Sequence, residues 1–233
     1  MSADLNERTF DPPGEVPPPG GDAIRQAASD SVRAGVDIRA RIHDVTLLAL
    51  RSRRFDRHAM RDVVQAVTSG VALGAQDSRA DLPKSLAEAF RGMDEAITRS
   101  ADASRVALRR LVVAGRDLSD SDVKLGLAQM KRLEEDFLST AAKVAQTAGD
   151  KVRPELNNLL DAARRNGTET GRVAASTLTE LTHRFSIASL DVALAGLEAA
   201  TEVGSRFAQL ASGILSGVAD ALTEPRKDPP TRP

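Results

Sequence analysis

The chain has 233 residues, is 41% hydrophobic and 28% charged, and carries a formal net charge of −1. It contains no cysteine, which excludes a disulfide framework and thiol chemistry, and its near-neutral balance excludes whole-chain attraction to nucleic acid. Aromatics are only 3%, all of them Phe, while alanine is abundant, so a core of Ala, Val and Leu buries little area per residue and calls for long interfaces or partners.

Residues 1–21 are rich in Pro and Gly and net acidic, the composition of a disordered tail. They lack the basic start and apolar stretch of a signal peptide. A first helix is expected to open at Asp22, with Ile24, Ala28, Gly35, Ile38, Ile42, Val45 and Ala49 on one stripe. Asp56 can cap a second helix that aligns Met60, Val64, Val67, Val71 and Gly74. Pro83 belongs in the first turn of a third, whose stripe runs from Leu82 through Leu86, Phe90, Met93 and Ile97 to Leu118.

The segment SDSD at 119–122 has the shape of a capping box and opens a fourth stripe from Val123 to Val152. Pro154 kinks or restarts that helix. Asn166–Gly167 can turn left-handed and Thr168 can cap the next helix. The last stripe, Leu178 to Ala221, implies a helix over 172–222 of roughly 75 Å. The C-terminal residues 223–233 read as a second disordered tail. The longest uncharged runs, 63–76 and 207–219, fall short of the ~20 residues a membrane span needs.

Three patterns carry the functional reading. Gly70 and Gly74, then Gly213 and Gly217, stand four apart in those uncharged runs. Such pairs let two helix backbones approach closely, which offsets the ~1 kcal/mol that Gly costs against Ala in a helix. A third pair, Gly167 and Gly171, reads as a helix break plus chance. The run RSRRFDRHAMR at 51–61 supplies Arg51, Arg53, Arg54, Arg57 and Arg61 as candidate anion ligands, for phosphates or an acidic membrane face. Its one aromatic, Phe55, gives no basis for base stacking.

His43, His58 and His183 are scattered; His58 with Asp62 has metal-ligand spacing, but without a second pair it reads as a surface contact. The acidic EED at 134–136 reads as an exposed face with i,i+4 partners. No phosphate-binding glycine loop and no nucleophile elbow is present. The expectation is therefore a protein with no catalytic residues, no metal, no cofactor and no small-molecule substrate.

The stretches GVDIRARIHDVTLLALRSRRFDRHAMRDVV, QDSRADLPKSLAEAFRGMDEAI and RFSIASLDVALAGLEAA resemble a family of bacterial all-helical proteins of unknown function, over most of residues 22–222. That resemblance implies an all-helical fold and no particular activity. In composition the chain is loosely similar to phasins, Ala-rich, cysteine-free cytoplasmic helical proteins that coat polyhydroxyalkanoate granules. That likeness implies a partner with an apolar surface.

The expected architecture is all-α: an elongated antiparallel bundle of four to five long amphipathic helices over 22–222, with disordered termini at 1–21 and 223–233. The expected function is that of a cytoplasmic structural or interaction protein, forming homo-oligomers or coating a hydrophobic granule or membrane face. The alternative is a module that binds an anionic surface or, less favoured, nucleic acid through the arginines of 51–61.

Overall fold

The computed structural model describes residues 19–53, 56–78, 80–115, 121–184 and 207–215. Every regular element among them is helical, so the chain is all-α. Seven helices replace the expected four to five: α1 (Gly21–Ala34), α2 (Ile38–Arg51), α3 (Arg57–Asp77), α4 (Leu82–Val113), α5 (Ser121–Thr147), α6 (Arg153–Asn166) and α7 (Glu169–Arg184). Residues 207–215 form a further helical segment. The expected tails fall almost wholly outside the described residues.

The extra helices come from local breaks. The first stripe is one helix in the sequence reading, yet Gly35 takes φ 68 and its N–H bonds back to the Val32 carbonyl at 3.1 Å, ending α1. Asp37 comes next at φ 52, and α2 begins at Ile38. Asp56 caps α3 through the Ala59 N–H at 2.8 Å, and Asp81 caps α4 through the Lys84 N–H at 3.0 Å. Before Pro154 the helix ends and restarts; the Val152 and Arg153 N–H groups both bond the Gly149 carbonyl at 2.9 Å. Thr168 caps the next helix, its hydroxyl accepting from the Gly171 N–H at 2.9 Å, while of Asn166 and Gly167 only the glycine has positive φ.

The contacts give the register. α1 packs chiefly on α3, and α2 on α4. Arg33 at the end of α1 meets Asp77 at the end of α3 at 2.6 Å, so these helices run parallel from the Gly70–Ala28 contact onward. α4 and α7 are also parallel, joined near Asp94–Thr170 and again at Arg109–Glu180. One core cluster gathers the faces of α1 to α7, with Ile42, Leu86, Ile97, Phe137 and Leu160 among its fully buried members. Phe90 and Phe137 stack across α4 and α5 with centroids 5.1 Å apart.

A second cluster joins Leu108, Leu111, Val123, Leu127, Leu181, Phe207 and Ala211. It overturns the single straight helix expected over 172–222. On a straight helix Leu181 and Phe207 would stand about 39 Å apart, whereas here both pack into the same small cluster. Leu181 and Phe207 therefore do not belong to one straight helix; residues 185–206 and 216–222 of that expected helix lie outside the described residues.

Candidate functional site: the glycine contacts and the arginine cluster

Gly70 and Gly74 lie buried on α3 where α1 crosses it. A Cβ built on Gly70 would overlap the Arg25 carbonyl oxygen and lie 2.8 Å from the Ala28 Cβ. One on Gly74 would overlap the Ser29 carbonyl oxygen and lie 3.0 Å from the Val32 Cβ. The neighbours are mainly backbone, so the absence of a side chain sets the helix spacing. Gly92 makes the equivalent contact between α4 and α2, against the Arg39 carbonyl and the His43 N–H. The sequence reading missed Gly92, a single glycine within a helical stripe with no glycine partner four residues away.

Gly213 does not share this role. It is exposed, and an added Cβ would meet nothing within 4 Å. The expectation of a tight contact there is corrected: within 207–215 it is Phe207, Ala208, Ala211 and Leu215 that face the core. Gly217 lies outside the described residues.

Two arginines of the cluster are tied to a neighbouring helix while remaining partly exposed. The Asp136 carboxylate on α5, 3% exposed, accepts hydrogen bonds from Nε and Nη2 of both Arg57 and Arg61 on α3, including 2.7 Å from Arg57 Nη2 and 3.1 Å from Arg61 Nε. Burial pushes the Asp136 carboxyl up, but the bonds from Arg57 and Arg61 outweigh it and hold the group below the usual carboxylate range. Arg57 and Arg61, read from the sequence as candidate anion ligands, thus bridge α3 to α5 by sharing the Asp136 carboxylate. Arg53 Nη2 donates to the Pro19 carbonyl at 2.9 Å, and Arg51 is half-buried beside it in sequence. Arg54 lies outside the described residues.

The EED segment is likewise not a solvated face. Only Glu135 is exposed; Asp136 is clamped, and Glu134 accepts from the Thr168 N–H at 2.9 Å and the Thr168 hydroxyl at 2.8 Å. Asp94 on α4 completes the grip on the start of α7, accepting from the N–H groups of Glu169 at 3.0 Å and Thr170 at 3.1 Å. Two carboxylates from other helices therefore satisfy the otherwise orphaned amides of α7. Asp122 serves residues 207–215 in the same way through the Phe207 N–H at 3.2 Å. The sequence carries no local signal for these caps, because each partner is 34 or more residues distant.

Further ion pairs lie at the surface. Arg39 bonds Glu95 and Arg109 bonds Glu180, and each bond lowers the pKa of its carboxyl. His43 Nδ1 lies 2.9 Å from the Asp44 carboxylate, while His58 and His183 are exposed. Among the described residues no three His, Asp or Glu side chains converge as a metal site would require, and no helix is long and apolar enough to cross a membrane. A wholly apolar cavity between Val71, Phe90, Ala141 and Leu159 has only about 10 Å³ of free space, at the lower limit for one water.

A family model described as "Family of unknown function (DUF6781)" matches residues 18–224, and the chain belongs to that family. No curated protein and no solved structure matches it.

Proposed function

We propose that this member of the family is a non-enzymatic, self-associating helical bundle that works as a structural or interaction protein in the cytoplasm. The observation that carries this reading is where the apolar stripes go. Ile24, Ile42, Val64, Leu86, Ile97 and Phe137 are all spent inside the chain's own core. A coat of the phasin kind needs a continuous apolar face to lay on a granule. Among the described residues the large apolar side chains left outside, Val36, Leu48, Leu73 and Val113, sit singly along the chain. That pattern favours contact with a second folded copy over spreading on an apolar surface.

Two differently tagged full-length chains, co-expressed and purified through one tag, test the reading. Recovery of both tags in stoichiometric amount supports it. Recovery of one tag alone, together with partition of the protein onto triglyceride droplets, would replace it with the surface-coat reading.

A further inference from the structure

We propose that Asn166–Gly167 is a deamidation site that ages the docking of α7. Asn166 is the last residue of α6, and both it and Gly167 are exposed. Among the described residues the Gly167 N–H has no hydrogen-bond acceptor, and the Asn166 side chain has no partner. Rotating the Asn166 ψ therefore breaks no hydrogen bond at this amide. Gly167 has no side chain to obstruct the approach of its nitrogen to the Asn166 side-chain carbonyl.

The chemistry needs only water. The Gly167 backbone nitrogen, having lost its proton to hydroxide, bonds to Asn166 Cγ. The Cγ–Nδ2 bond breaks and ammonia leaves, closing a five-membered succinimide. Water then opens the ring at one carbonyl or the other, giving aspartate or isoaspartate, with no oxidation or reduction. Asn157 and Asn158 offer a contrast inside the same helix: they sit mid-α6, and the amides that would have to attack belong to Asn158 and Leu159, within the helical ladder.

The position makes the product consequential. Gly167 and Thr168 are the whole connector between α6 and α7. Thr168 is bonded to Glu134, and the next two amides to Asp94. Isoaspartate inserts an extra methylene into the chain immediately before these bonds. Either product also adds a negative charge at the C-terminus of α6, where the helix dipole disfavours it. α7 then loses its fit between α4 and α5.

The test holds the full chain warm at mildly alkaline and at mildly acidic pH, then digests it with trypsin. Arg165 and Arg172 bracket residues 166–172 as one peptide. The expected result is replacement of one side-chain amide by a carboxyl in this peptide, with an isoaspartate form that elutes separately. Conversion should run several-fold faster at the alkaline pH, and several-fold faster than at Asn157 or Asn158 in the same digest. In the Asn166→Gln protein the peptide should stay unchanged. Amide hydrogen exchange in α7 should quicken in aged wild type and not in aged Asn166→Gln. An unchanged 166–172 peptide, or equal conversion at Asn157 and Asn158, overturns the site. Conversion at Asn166 with α7 exchange unaltered overturns its effect on docking.

Discussion

Replacing Gly70 and Gly74 together by alanine should destabilise the protein, although alanine is the better helix former. At both positions the new methyl would overlap a backbone carbonyl of α1 and stand only 2.8 to 3.0 Å from the Cβ of Ala28 or Val32. A carbonyl inside a helix cannot swing aside as a side-chain tip can, so α1 must lift from α3. Overpacking of this kind costs about 1–3 kcal/mol per site. Helix propensity returns about 1 kcal/mol at each. The clashes are with helix backbone, so each overpacking cost lies at the upper end of its range. Because the two sites share one helix pair, the joint cost falls short of the sum, at about 4 kcal/mol, against about 2 kcal/mol returned. The expected net loss is about 2 kcal/mol, which for a chain of this length lowers Tm by roughly 4–8 °C.

Thermal and denaturant melts of the full chain provide the assay, with Gly213→Ala as the internal control. That position is helical, exposed and open, so the same change should stabilise by up to about 1 kcal/mol and raise Tm by a few degrees. Opposite signs at chemically identical substitutions are the signature of close backbone approach. A higher Tm for the Gly70→Ala, Gly74→Ala protein would refute the reasoning and make those glycines ordinary helix defects.

Other substitutions probe the remaining joints. Asp136→Asn strips the charge that Arg57 and Arg61 share, and should cost about 2–4 kcal/mol in denaturant melts, toward the lower end because both guanidiniums stay in contact with water. Because the Asp136 pKa is depressed on folding, its stabilisation is present above the ordinary carboxylate value of about 4 and is lost as pH falls through the lower folded value; acid melts of Asp136→Asn should lack that component. Asp94→Ala removes two amide caps and should cost about 1–2 kcal/mol, with hydrogen exchange rising first in α7. Phe207→Ala empties the centre of the second cluster, where the ring lies against Leu108 and Gly126, and should cost about 3–5 kcal/mol in the same melts.

Local chemistry made several features legible in the sequence. Asp56, Pro83, Pro154 and Thr168 each mark a helix start, because a cap or a proline acts within one turn. The stripes named the core well: Ile42, Val64, Val67, Leu86, Met93 and Ile97 are all buried. Gly35 was misplaced because its position continues the 3.6-residue stripe, so the periodicity runs through the break; its left-handed φ is a tertiary choice that the pattern does not record. Periodicity also does not record how far apart two points of a stripe lie, which is why 172–222 read as a single rod although Leu181 and Phe207 share one cluster. Asp136 and Glu134 read as solvent-facing since their partners, Arg57, Arg61 and Thr168, are remote in sequence. The Gly70 and Gly74 contacts were readable as a spaced pair, while Gly213 offered the same spacing without a neighbour.

Sedimentation equilibrium of the full-length chain over a wide concentration range tests the central claim, self-association of a folded bundle, most directly. The account predicts a helical protein whose mean mass rises reversibly with concentration above the 24.7 kDa of a single chain. A helical species that stays at the mass of one chain throughout would contradict it.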